Sequence, residues 1–164
     1  MSLEIVKDYV PGAIGRIAEL HGLYYQKHAG FGLYFESKVA IELSEFLRRY
    51  DGERDGIWLA ILDGRVEGSI VIDGSEGYGD GAHLRWFIAS DALRGKGAGN
   101  KLIAAATDFC RQRKYPKTYL WTFEGLNTAR HLYEKQGFRL TQQLPGKRWG
   151  SEVNEQRFDL DLTG

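Results

Sequence analysis

The residues with the plainest chemical potential form one run, Arg94-Gly95-Lys96-Gly97-Ala98-Gly99. An apolar stripe at helical spacing (Leu102, Ile103, Ala106, Phe109, Cys110) begins directly after it. Alternate glycines let a backbone approach a ligand with no Cβ in the way. The N-terminus of the helix that follows presents unpaired N–H groups and the positive end of its dipole. Together these make an anion site suited to a pyrophosphate, with Arg94, Lys96 and Lys101 adding formal charge. Two nucleotide-binding signatures fail on spacing. A P-loop requires Ser or Thr after its Gly-Lys, and Gly95-Lys96 is followed by Gly97. The dinucleotide fingerprint requires a third glycine where this chain has Asn100.

Periodicity gives the elements that must position this loop. Leu3 to Tyr9 alternates as an edge strand. Ile14, Ile17, Ala18, His21 and the residues up to His28 fall at helical spacing. Gly30 to Phe35 reads as a glycine and aromatic loop. A second helix carries Val39, Leu43, Phe46, Leu47 and Tyr50 on one stripe. Ile57 to Leu62 and Arg65 to Ile72 are strands joined by the hairpin signal Asp63-Gly64. A loop from Asp73 to Gly81 leads to a third strand, Ala82 to Ala89. A helix from Gly99 to Arg113, a strand from Thr118 to Phe123 and a short helix ending at Gly137 follow. Phe138 to Gln142 and Val153 to Leu162 close the chain as strands joined through Pro145-Gly146. This order predicts an α/β (α+β) mixed sheet with helices on its faces, not a regular βαβ alternation.

Composition bounds the function. The 164 residues predict a single domain over 1–164. With 43 % hydrophobic and 27 % charged residues the chain is an ordinary globular one. Lys plus Arg and Asp plus Glu both number 22, so bulk charge attracts neither nucleic acid nor an anionic membrane. One cysteine excludes a disulfide framework, and no His, Cys or carboxylate spacing predicts a metal. No apolar run reaches the roughly 20 residues of a membrane span. The charged first residues do not resemble a signal peptide, so a cytoplasmic location is expected.

Arg94-x-x-Gly97-x-Gly99 resembles the pyrophosphate motif of the GNAT superfamily of N-acetyltransferases. Ala129-Arg130-His131-Leu132-Tyr133-Glu134-Lys135-Gln136-Gly137-Phe138 resembles a second motif of that family, Ala-x-x-Leu-Tyr-x-x-x-Gly-Phe. The resemblance covers essentially the whole chain. It implies a GNAT fold, a mostly antiparallel twisted sheet of about seven strands with about four helices. From Leu84 onward the chain also looks like the acetyltransferase half of MarR-type regulator fusions. Leu120-Trp121-Thr122, Leu126 and Trp149-Gly150 carry that likeness. The DNA-binding half is not expected here.

The resemblance implies acetyl transfer from acetyl-CoA to a primary amine by direct attack. Cofactor contacts would come from Phe87, Ile88 and Ala89, from Arg94 to Asn100, and from Asn127, Arg130 and Tyr133. Tyr133 is the implied acid near the sulfur. One position departs from the pattern. The family's cofactor-binding asparagine would fall at Leu126, and the asparagine is Asn127, which also suits a helix N-cap. His83 is the candidate base; period-two spacing places it with Arg85, Phe87 and Ala89 on one strand face. Glu67 and Glu36 are weaker candidates. Tyr24, Tyr25, His28, Phe31, Phe35, Arg85, Trp121 and Trp149 are candidates for the wall of an acceptor pocket for a small-molecule or peptide amine. Many relatives dimerise, so a homodimer is an implied state. The alternative reading is a non-catalytic module that binds or senses acyl-CoA on the same fold.

Overall fold

The computed structural model describes residues 2–163. Its centre is a seven-stranded sheet in the order β1-β2-β3-β4-β5-β7-β6. In chain order, β1 (Leu3–Lys7) precedes two helices, α1 (Ala13–Ala29) and α2 (Leu33–Arg48). The meander β2 (Gly56–Leu62), β3 (Arg65–Asp73) and β4 (Ala82–Ala89) follows. Then come α3 (Ala98–Gln112), β5 (Lys117–Phe123), α4 (Asn127–Gln136), β6 (Arg139–Gly146) and β7 (Val153–Asp161). Every neighbouring pair is antiparallel except β4 and β5.

The apolar run of β2 has a direct cause: both faces of that strand are covered. Ile57 and Leu59 pack with Ile17 of α1 and with Leu43 and Phe46 of α2. Trp58, Ala60 and Leu62 pack on the other side with Leu102, Ile103 and Ala106 of α3. The Asp63-Gly64 link is a tight turn with both residues at positive φ, 52° and 78°, as a two-residue hairpin requires.

Three sequence expectations are corrected. The break between the first two helices is only Gly30 to Gly32, because α2 already starts at Leu33. Pro145-Gly146 is the end of β6 and not the link to β7, which is residues 147–152. A proline disguises the strand, yet β6 is at the sheet edge, where proline is tolerated. Third, β4 does not keep a period of two. Its register against β3 jumps from Ser69↔Ile88 to Val71↔Arg85, so β4 holds one extra residue there. Trp86 sits in that bulge at φ 47°, a strained value for a bulky residue. The bulge puts Trp86 with the α1 and α2 cores, while Phe87 packs with Leu84 on the α3 side. Phe87 therefore does not share a face with Arg85, as unbroken alternation predicts.

The bulge and the parallel pairing act together. β4 meets β5 only through Ala82↔Thr118 and His83↔Tyr119. Beyond His83 the two strands part, and β5 continues paired to β7 up to Phe123↔Glu155. The β5-facing edge of β4 from Leu84 to Ala89 is left without a strand partner, which opens a slot in the middle of the sheet.

The Ser69 hydroxyl donates to the Trp86 carbonyl at 2.7 Å and pins the bulge from the neighbouring strand. Ser69 is fully buried. Ser69→Ala is expected to cost about 1–3 kcal/mol, the range for orphaning a buried polar group. Chemical denaturation checks it; an unchanged midpoint would show that this bond does not hold the bulge.

Candidate functional site

The glycine loop lies at the end of β4. The Ser90 hydroxyl accepts from the Ala92 N–H at 3.2 Å and caps a short 3-10 turn, Asp91–Leu93. Gly95 and Gly97 then take φ 75° and 71°, and a Cβ on either would meet no atom within 4 Å. These two glycines serve backbone direction and leave the space above them clear for a ligand. Gly99 differs, since a Cβ there would lie 3.0 Å from Leu132 Cδ1, so it allows α3 to approach α4. The first bond of α3 runs from the Lys101 N–H to the Gly97 carbonyl at 3.1 Å. The N–H groups of Ala98, Gly99 and Asn100 precede it and are free of helical partners by geometry. This cradle fits a pyrophosphate. Arg94 is largely exposed and pairs with Asp91 at 3.0 Å.

A cavity of about 170 Å³ opens where β4 and β5 part. β4 lines it with His83 to Phe87, and β5 with Leu120 to Phe123. His21 and Tyr25 come from α1, and Phe35, Lys38, Val39 and Glu42 from α2. Tyr133 of α4 also lines it, as do Arg148 and Trp149 from the β6–β7 link. Of the expected wall residues, Tyr25, Phe35, Arg85, Trp121 and Trp149 line this cavity. Tyr24, His28 and Phe31 do not. Tyr24 and His28 pack against each other with tilted rings 4.2 Å apart, and His28 is exposed. Phe31 is core, packed on Phe35 and Phe123 at 5.1 and 5.3 Å.

Tyr133 is 6 % exposed and touches Phe87, Phe138 and Phe158 with ring separations of 5.9–6.0 Å. Burial, followed by neighbouring Tyr25 and Tyr24, pushes its hydroxyl well above the ordinary phenol value. It therefore stays protonated and is a hydrogen-bond donor. His83 stacks on Tyr119 at 4.6 Å. Burial, then the charge of Arg85, pulls its imidazole down to about 3, with Arg148 and Arg157 adding to the effect and Asp73 opposing it. His83 is thus neutral at pH 7 and a weak proton acceptor. His21 Nδ1 lies 2.8 Å from the Ile17 carbonyl. A carbonyl can only accept, so Nδ1 carries the proton and Nε2 is left as an acceptor in the neutral ring. Burial lowers His21 to about 4, against its bond to Ile17.

The other candidates have different surroundings. The Glu67 carboxylate accepts from Arg16 Nη2 and from the Ser90 hydroxyl, both at 2.7 Å, and is outside the cavity wall. It braces the start of the glycine loop. Glu36 also lies outside the wall. The N-cap of α4 is Leu126, so Asn127 is not the cap. Arg130 lies over Phe158 at 5.3 Å, with Nε 3.4 Å from Glu134. Burial raises the Cys110 thiol to about 12 and keeps it unreactive. Among the described residues, no three His, Cys, Asp or Glu side chains group to hold a metal, and no helix is long and apolar enough to cross a membrane.

Lys38, Glu42, Trp86 and Arg148 line the cavity without having been singled out in the sequence. Glu42 had a signal, because Phe35, Val39, Glu42 and Phe46 form one helical stripe with a lone acid inside it. Arg148 is in a link with no periodicity and had none.

The acetyltransferase (GNAT) family profile matches residues 17–138. The chain belongs to the GNAT acetyltransferase family. Both family motifs fall inside or at the edge of that match, with Phe138 its last residue. A curated relative, the probable N-acetyltransferase camello of Xenopus tropicalis, is 29 % identical over 119 residues, 73 % of this chain. The chain spans about half (53 %) of that relative's length. Solved structures share the GNAT fold. An acetyltransferase of the GNAT family from Staphylococcus aureus Mu50 superposes with a TM-score of 0.76 at 20 % identity, covering 99 % of this chain and 100 % of that one. A Salmonella typhimurium protein described as an acetyltransferase, solved with its cofactor acetyl-CoA, gives 0.69 at 17 % identity, covering 98 % and 95 %.

The two histidines of the cavity wall predict acid sensitivity. Their folded values, about 4 and 3, lie below the ordinary imidazole value. Between about pH 6.5 and 4 the unfolded chain therefore binds more protons than the folded one, and stability falls as pH falls. Each histidine contributes a slope of up to about 1.4 kcal/mol per pH unit there. Asp73 protonates below this window: partial burial opposes its charge, but bonds from Arg49 and Ser75 hold it at about 2. His83→Gln is expected to flatten the slope in urea titrations from pH 7 to 4. An unchanged slope would show that His83 is not held neutral.

Proposed function

We propose that this chain transfers an acetyl group from acetyl-CoA to a primary amine bound in the cavity between β4 and β5. The observation that carries this reading is the alignment of three features. The open glycine cradle lies at the end of β4, the same strand has an unpaired edge from Leu84 to Ala89, and Tyr133 stands at the cavity beside Phe87 of that edge.

The cradle N–H groups and Lys96 would hold the pyrophosphate of acetyl-CoA, and Phe87 to Ala89 would meet its extended arm through main-chain groups. Asn100, Asn127 and Arg130 are further contacts that the family pattern supports. Acetyl-CoA supplies an activated thioester, so the C–N bond to the amine forms as the C–S bond breaks, and the proton shed by the amine balances the CoA thiol. Main-chain N–H groups on the free edge of β4 polarise the carbonyl oxygen as charge develops. Tyr133 donates a hydrogen bond to the departing sulfur; its raised pKa keeps the donor proton in place at every working pH.

The amine must be neutral to attack. Lys38, Arg85 and Arg148 line the cavity with one carboxylate, Glu42, and Glu155 pairs with Arg148 from outside the wall, which leaves one cation in excess. Nearby cations disfavour an ammonium, so the cavity itself lowers the amine pKa. A strong dedicated base is then unnecessary. His21 Nε2 and His83 can receive a proton in passing toward water. A chain that bound acetyl-CoA but acetylated no amine would be the sensing module instead.

Tyr133→Phe keeps the ring packing and removes only the hydroxyl. It is expected to lower kcat by about 10²-fold or more, in the range for positioned acid catalysis. The acetyl-CoA Kd should change less than threefold. Stopped-time thiol release and calorimetry read the two quantities. Equal loss of rate and affinity, or no loss of rate, would contradict the assigned role.

A further inference from the structure

The charges on the cavity wall discriminate between kinds of amine. Glu42 is the one carboxylate among the wall residues, and both of its oxygens are occupied. Oε2 accepts from Lys38 Nζ at 2.6 Å, and Oε1 accepts from Arg85 Nη2. Partial burial works against the Glu42 charge, but the bonds from Lys38 and Arg85 outweigh it and keep the carboxyl ionised. No free anion is left to receive a second ammonium.

Arg148 is placed differently. Its Nε donates to Glu155 Oε1 at 3.1 Å, and its backbone N–H to Oε2 at 2.9 Å. Glu155 is 5 % exposed and is not part of the wall. The two terminal amino groups of Arg148 have no protein partner among the described residues. The guanidinium lies over Trp121 at 4.1 Å, which holds its plane in place. Arg85 is held in the same way over Trp86 at 4.0 Å, and only its Nη2 is engaged by Glu42. Two oriented guanidinium forks thus border one small cavity with donors to spare. A planar oxyanion is the matching ligand. Burial is the main cause of the depressed imidazole of His83, and the charges of Arg85 and Arg148 add to it.

We infer that the acceptor amine also carries a carboxylate, gripped by Arg148 and Arg85, and that it is a small amino acid with an apolar side chain and not a polyamine. The small cavity and its aromatic walls (Tyr25, Phe35, Trp86, Phe123) select the side chain. This inference rests on the acetyl-transfer reading above.

Matched pairs of acceptors test it. L-leucine against isoamylamine, L-methionine against 3-(methylthio)propylamine and L-phenylalanine against phenethylamine differ only by the carboxylate. Spermidine is the polyamine. With acetyl-CoA and a free-thiol readout, at least one amino acid is expected to exceed its matched amine in kcat/KM by about tenfold or more, the size of a charged hydrogen-bonded contact. Arg148→Gln should collapse that ratio toward one, chiefly by raising KM for the amino acid, and Arg148→Lys should restore part of it. Faster turnover of spermidine or of the carboxylate-free amines would overturn the inference and leave acetyl transfer standing. So would a ratio unmoved in Arg148→Gln. Failure of every amino acid in the panel overturns it as well. The melting-temperature response to acetyl-CoA, measured alongside, separates that result from failure of the acetyl-transfer reading.

Discussion

The extra residue in β4 is the constraint on which the rest depends. A strand in the middle of a sheet normally uses both edges, and its side chains alternate strictly. At Trp86 the chain takes a left-handed conformation and β4 loses register with β3 by one residue. Its parallel partner β5 follows it for only two residue pairs before the strands part. The cost of that conformation, roughly 1–3 kcal/mol, is offset by the Ser69 bond and by packing of the Trp86 ring against Phe46 at 5.9 Å. The return is a row of main-chain donors and acceptors in the heart of the sheet, flanked by a glycine cradle on the next turn of chain. Strands, helices and loop are arranged around that gap.

The same gap sets the electrostatics. Side chains from α1, α2, β4, β5, α4 and the β6–β7 link converge on a partly closed volume, so each charge is weakly screened by water. Burial keeps His21 and His83 neutral and Tyr133 protonated, and the arginines reinforce this for His83. A cavity of neutral imidazoles, protonated phenol and excess guanidinium is poorly suited to a cationic acceptor. It is well suited to an uncharged nitrogen next to an oxyanion.

Much of this was legible in the residues. The double-faced apolar run Ile57 to Leu62, the Asp63-Gly64 turn and the single-sided stripe of α3 report local periods, and each element is where its period put it. The cradle was legible because glycine alternation next to a helix start has few other physical uses. The bulge was not, because Arg85-Trp86-Phe87 is as good an alternating strand as its neighbours, and only the third dimension shows the lost register. That hid the facing of Phe87. Tyr24 and His28 lie off the wall for a related reason: helical spacing says which residues share a stripe but not which end of it reaches a cavity. Phe31, in the break between the helices, turns inward onto Phe35 and Phe123. Arg148 lies in a six-residue link whose position follows from β6 running to Gly146, past a proline that reads as a turn.

The central claim, that the cradle and the free edge of β4 together receive acetyl-CoA, is met most directly by melting temperature as a function of ligand. Acetyl-CoA, ATP and NAD would be titrated at equal concentrations. A ligand at 100 times its Kd stabilises the folded state by about 2.7 kcal/mol, roughly 5–10 °C for a chain of this size. The account predicts a rise of that order with acetyl-CoA and a far smaller one with ATP or NAD. A flat response to acetyl-CoA in folded protein, or an equal response to all three, would contradict it.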